Sequence, residues 1–157
     1  MHIETERKFL VLSDRYKEQA VSARHIQQGY IAHDGGNTVR IRLQDGRGIL
    51  TIKGRTIDGG MSRPEWEMEI PTQDARDLLP LCHGGFIDKT RHIVPAGDGL
   101  VFEVDEFHGD NDGLVMAEIE LPSGDTPFPR PDWLGEEVTG DKRYYNSYLT
   151  KHPYKEW

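Results

Sequence analysis

The chain has 157 residues, 36% of them hydrophobic and 29% charged, which suits one folded domain with a core and excludes a disordered chain. Its net charge of −8 excludes the broad basic surface of a nonspecific nucleic-acid binder, yet leaves room for a local cluster of cations around an anionic ligand. No run of apolar residues is long enough for a transmembrane helix, and Cys82 has no second cysteine to pair with.

The N-terminal MHIETERKFLV carries carboxylates where an export signal needs a basic flank and an apolar stretch, so a reducing, cytoplasmic location is expected. It opens a first strand at about 2–12, followed by a helical stretch from Asp14 to Ala23. A second strand at about 25–33 turns through Asp34-Gly35-Gly36-Asn37 into a third at about 37–44. Asp45-Gly46-Arg47-Gly48 leads to a fourth at about 48–56, and Asp58-Gly59-Gly60 to a fifth at about 62–71. A helix from Thr72, read as its N-cap, to Leu81 crosses to a sixth strand at about 86–95. The turns Pro95–Gly99 and Gly109–Gly113 introduce a seventh and an eighth, at about 99–108 and 114–122. Four prolines between Pro122 and Pro131 predict a loop strapped over the surface, and Gly140 to His152 reads as a closing helix.

Side chains two apart share a face of a strand, and here one face is charged throughout. It carries Glu4, Glu6 and Lys8; Arg40 and Arg42; Lys53 and Arg55; Glu65, Glu67 and Glu69; Lys89 and Arg91; Glu103 and Asp105; Glu118 and Glu120. The opposite parity is mostly apolar, as in Val39, Ile41 and Leu43 or Trp66, Met68 and Ile70. An ordinary half-buried sheet would mix neutral polar residues into its solvated face. Charged doublets on seven strands point instead to a mainly β (α+β) fold, an eight-stranded antiparallel closed barrel with a few peripheral helices and a charged, hydrated lumen. The outer apolar face is then covered by the helices, by the proline-rich strap or by a second subunit.

Six bases, Lys8, Arg40, Arg42, Lys53, Lys89 and Arg91, suit a ligand with several phosphoryl groups. Carboxylates in the same lumen repel phosphate unless they hold cations. An oxygen-only set such as Glu4, Glu6, Glu118 and Glu120 favours Mg²⁺ or Mn²⁺ over zinc. The bases are outnumbered by Glu4, Glu6, Glu65, Glu67, Glu103, Asp105, Glu118 and Glu120, an excess that two divalent ions would reverse. No phosphate-binding Gly-rich loop, nucleophile elbow or zinc-type histidine spacing is present.

Glu4-Thr5-Glu6-Arg7-Lys8 resembles the ExExK signature of the CYTH superfamily, the triphosphate tunnel metalloenzymes. Tyr30, Arg40-Ile41-Arg42, Leu50 to Lys53, Arg63 to Glu67, Lys89-Thr90-Arg91, Glu103-Val104-Asp105 and Glu118-Ile119-Glu120 follow in family order. The tail from Trp133 to Tyr144 is similar to that of small bacterial members. The resemblance implies one CYTH-type domain over residues 1–157, usually a homodimer, acting on triphosphates with Mg²⁺ or Mn²⁺. By matched position, Glu4, Glu6, Glu118 and Glu120 would bind metal and the six bases would hold phosphates. Tyr30 and Lys89 are the candidates for catalytic contact, and Glu65, Glu67, Glu103, Asp105 and Lys142 for secondary roles in the lumen. Hydrolysis of inorganic tripolyphosphate is the leading expectation. Nucleotide or thiamine triphosphate hydrolysis, class IV adenylate cyclase activity and polyphosphate sensing without turnover are the alternatives.

Overall fold

Nine strands appear in the computed structural model, which describes residues Met1–Trp157. They are β1 (His2–Val11), β2 (Ser22–Asp34), β3 (Asn37–Gln44), β4 (Arg47–Lys53), β5 (Ser62–Ile70), β6 (His83–Gly97), β7 (Leu100–Phe107), β8 (Val115–Glu120) and β9 (Leu134–Glu137). All pair antiparallel in the order β5-β4-β3-β2-β6-β7-β8-β1-β9. β1 closes the ring because it is long enough to serve two partners on opposite edges. Its residues His2–Thr5 pair with β5 and Glu6–Leu10 with β8, so the first eight strands form a barrel.

The hairpins are set locally. Gly35 and Gly36, and then Asp45 and Gly46, all take positive φ, the two-residue geometry that matches the twist of the flanking strands. The helices depart from expectation. Asp14–Glu18 forms only a 3₁₀ turn, and α1 spans Thr72–Leu78 before a 3₁₀ turn at Leu79–Leu81. Thr72 is not the cap: Pro71 occupies that position, and the Thr72 hydroxyl donates to the Gly46 carbonyl at 2.6 Å. The helix expected from Gly140 to His152 breaks into a 3₁₀ turn, Lys142–Tyr144, and a short α2, Asn146–Leu149. Between them Tyr145 is extended, and Lys8 Nζ donates to the Tyr144 carbonyl at 3.0 Å, a tertiary contact that overrides helical propensity. β9 is a ninth strand that the pattern did not announce. Four residues are too few for alternation to register, and its pairing with β1 follows from the path of the strap.

The main apolar core lies outside the barrel. Phe9, Val94, Phe102, Val104, Ala117 and Ile119 bury outward-facing side chains beneath Tyr16 and Trp133. The strap contributes Phe128, edge-on to Phe9 and Phe102 at 5.8 and 6.1 Å and flanked by the guanidiniums of Arg7 and Arg130 at 5.3 and 4.9 Å. A second cluster packs Ala75 and Leu79 of the α1 region on Ile41. Gly48 permits that approach, since a Cβ there would stand 2.9 Å from both the Ala75 Cβ and the Ile70 carbonyl. The third cluster is inside: Ile87, Phe107 and Met116 share the inward parity of Lys89, Asp105 and Glu118, and with Leu114 and Leu149 they form an apolar plug. Ile3, Ile52, Trp66 and Met68, on neighbouring β1, β4 and β5, stay 42–48% exposed. No helix is long and apolar enough to cross a membrane.

Candidate active site

The inward rows converge on a cavity of about 270 Å³, and only 3 of its 26 lining residues are hydrophobic. β1 supplies Glu4, Glu6 and Lys8, β2 Gln28 and Tyr30, β3 Thr38, Arg40 and Arg42, and β4 Thr51 and Lys53. β5 adds Arg63, Glu65 and Glu67, β6 Lys89 and Arg91, β7 Glu103, and β8 Glu118 and Glu120. A strand repeat of two residues suffices to aim these side chains inward, so the charged parity and the lumen coincide.

Each buried cation is held by a specific contact. Lys53 Nζ lies 2.8 Å from Glu4 and 3.4 Å from Glu65. Arg91 grips Asp105 through two hydrogen bonds of 2.8 and 2.9 Å and reaches Glu103 at 3.0 Å. Lys89 Nζ sits 2.8 Å from the same Asp105, so this carboxylate, 2% exposed behind the cavity wall, orients two bases. Arg40 donates to Thr51 Oγ1, which donates in turn to Glu67, both at 3.0 Å. The buried Arg40 Nε has no partner at all. Arg42 makes one side-chain contact, Nε to Gln28 Oε1 at 2.8 Å. Burial, with Arg40 and Arg91 close by, lowers the Arg42 guanidinium to about 9, and burial lowers Lys89 to about 7 against the pull of Asp105. Such crowding of partly unsatisfied cations is a site prepared for an anion.

The carboxylates are crowded in the same way. Burial, with Glu118 next, pushes Glu6 well above the usual carboxylate range. Burial works in the same direction on Glu118, but Lys8, a hydrogen bond from Glu6 and the Arg91 and Lys89 charges hold it well below that range. The crowding of Glu6 against Glu118 thus shifts the two carboxyls in opposite directions. Burial likewise raises Glu4 and Glu120, against the pull of Lys53 on Glu4 and with Glu4 adding to the rise of Glu120. No three acidic, histidine or cysteine side chains already converge as a finished ion site would. The fit of a cation rests on donor chemistry: Glu6, repelled by Glu118 and Glu4, and Glu120, repelled by Glu4, are oxygen donors whose repulsion a hard divalent ion relieves.

Tyr30 lines the lumen, 9% exposed, opposite Arg40 in the β2–β3 register. Two residues of the charged parity, and Lys142 of the tail, lie elsewhere. Arg55 falls beyond the end of β4 and donates to the Gly35 carbonyl at 2.8 Å, while Glu69 is paired with Arg47 on the surface. Lys142 is exposed at the start of its 3₁₀ turn and is not among the lining residues. Thr51 and Arg63 carried a readable signal, being two residues from Lys53 and Glu65. Asn146, Ser147 and Tyr145, which also line the cavity, carried none, because they arrive from the irregular C-terminal segment.

A model of the CYTH domain matches residues 2–150. The chain belongs to the CYTH family. An inorganic triphosphatase of Acetivibrio thermocellus is 48% identical over 153 residues, covering 97% of this chain and 96% of that relative. An inorganic triphosphatase of Nitrosomonas europaea is 37% identical over 149 residues, covering 93% and 95%. Among solved structures, the inorganic triphosphatase NE1496 superposes with a TM-score of 0.68 at 34% identity, over 96% of this chain and 95% of that one. CYTH triphosphatases are in general metal-dependent, in keeping with the lumen carboxylates.

Proposed function

We propose that this CYTH domain, residues 1–157, hydrolyses inorganic tripolyphosphate to pyrophosphate and phosphate inside the barrel. The observation that carries this reading is the convergence of Lys8, Arg40, Arg42, Lys53, Lys89 and Arg91 on one cavity with almost no apolar lining. Arginine forks and lysine ammoniums take up the phosphoryl oxygens and offset the charge that accumulates as the terminal P–O bond breaks. Water forms the new bond to the terminal phosphorus, and the bridging oxygen leaves with pyrophosphate. Tyr30 positions that water, Lys89 contacts the terminal phosphoryl group, and Glu103 and Asp105 keep Arg91 and Lys89 in place. Glu4, Glu6, Glu118 and Glu120 would hold Mg²⁺ or Mn²⁺, two ions by charge balance. Such ions neutralise phosphate charge and make bound water more acidic.

The polar lining supports tripolyphosphate over ATP or thiamine triphosphate, since an aromatic base gains little from such walls. Phosphate release from tripolyphosphate and ATP, with Mg²⁺, with Mn²⁺ and with EDTA, tests the reading. Tripolyphosphate is expected to turn over at least 10-fold faster than ATP, with loss of activity in EDTA. Cyclic AMP from ATP would instead establish a cyclase, and binding without release a sensor.

The exposed Ile3, Ile52, Trp66 and Met68 support a homodimer through the β1–β5–β4 face, in a reducing cytoplasm where Cys82 stays free. Light scattering should give a dimer mass for the wild type and a monomer for Trp66→Glu. A monomeric wild type at micromolar concentration removes this part of the proposal.

A further inference from the structure

Two cations assigned to phosphate, Arg42 and Lys89, are held by neutral amides. Arg42 Nε donates to Gln28 Oε1 at 2.8 Å, Gln28 Nε2 donates to Asn146 Oδ1 at 2.8 Å, and Lys89 Nζ donates to the same Asn146 oxygen at 2.8 Å. Gln28 and Lys89 are each 1% exposed, and Asn146 lines the cavity from the first position of α2. The polarity of the chain is fixed at both ends. Arginine and lysine can only donate, so Gln28 must turn its oxygen to Arg42 and Asn146 must turn its oxygen to Lys89.

The neutrality of this bridge matters. Lys89 and Arg42 repel one another in a buried site, and each needs an acceptor to hold its place before substrate arrives. A carboxylate would provide one, as Asp105 does for Lys89 and Arg91, but it would cancel charge that a phosphate must meet. An amide oxygen gives Arg42 its hold, and Lys89 a second hold beside Asp105, without adding negative charge.

We infer that Asn146 is a positioning residue which, with Gln28, holds Lys89 and Arg42 in phosphate-binding positions without adding negative charge to that of Asp105. The α2 segment is thereby part of the active site. The inference rests on the tripolyphosphatase reading above.

The test is Asn146→Asp beside Asn146→Ala, each followed by kcat, KM, tripolyphosphate affinity by calorimetry and thermal melting. Asn146→Asp keeps an oxygen acceptor at the same place, so a merely structural role predicts wild-type kinetics. The expected result is an unchanged or higher melting temperature with KM and Kd raised at least 10-fold. Asn146→Ala removes the acceptor and is expected to lower kcat at least 5-fold, with less effect on KM than the aspartate has. Wild-type KM and Kd in a folded Asn146→Asp variant overturn the inference. An inactive wild-type protein would overturn the tripolyphosphatase reading instead, and tripolyphosphate affinities of the same variants would then decide the role of Asn146.

Discussion

Replacing Arg42 with alanine is expected to lower kcat/KM for tripolyphosphate by about 10²–10³-fold, the usual effect of deleting a preorganised donor to developing negative charge. Arg42 is 8% exposed, and its only side-chain hydrogen bond within the protein is the 2.8 Å bond from Nε to Gln28. Its terminal nitrogens are thus free for an anion. Although burial and the neighbouring arginines lower its pKa to about 9, it remains charged at neutral pH. Alanine removes a charge that Arg40 and Arg91 repel, which offsets much of the loss of one hydrogen bond, so the melting temperature should move by only a few degrees. Arg42→Lys should recover only part of the activity, because one ammonium cannot both bond Gln28 and fork onto phosphate. Phosphate-release kinetics on Arg42→Ala settle the matter: near wild-type turnover would remove Arg42, and with it the assignment of the cationic rows, from the site.

The lumen was legible in the sequence because a strand converts spacing directly into direction. Glu4, Glu6 and Lys8 need no long-range information to share a face, and the Gly-rich turns mark where each row stops. The same rule fails where strands end, as Arg55 and Glu69 show: parity continues in the sequence after the barrel wall has turned away. The outer shell is less legible still. Phe128 and Trp133 find their places by packing on Phe102, more than two dozen residues earlier in the chain, and nothing local announces this. The C-terminal segment is the hardest case. Its helical propensity is overridden by contacts to Lys8, Gln28 and Lys89, so both its shape and its part in the cavity depend on the assembled barrel.

Asp105→Asn is expected to cost about 3–5 kcal/mol of folding stability, since it removes the buried carboxylate shared by two cations, leaving Lys89 with no charge partner and Arg91 with Glu103 alone. Asp105 is 2% exposed and receives two of the Arg91 nitrogens and Lys89 Nζ within 2.9 Å. For a chain of this size the change corresponds to a fall of roughly 10 °C in melting temperature. Its pH dependence distinguishes charge pairing from packing. Burial works to raise the Asp105 pKa, but Arg91 and Lys89 overcome it and leave it below the ordinary value of 3.8. The folded chain therefore binds fewer protons there than the unfolded one. The associated stability is present above pH 3.8 and is lost as pH falls through the folded value, so acid should narrow the gap between wild type and variant. Lys89 acts at the other end of the scale. Its folded pKa of about 7 lies below its unfolded value of 10.5, so the unfolded chain binds more protons between the two and stability gains with rising pH. Without Asp105 the Lys89 pKa falls further, the ammonium is lost at neutral pH, and phosphate binding weakens along with the fold. Urea titrations of both proteins from about pH 2 to pH 9 read these effects together, and a constant stability difference across that range would show that Asp105 acts through packing alone.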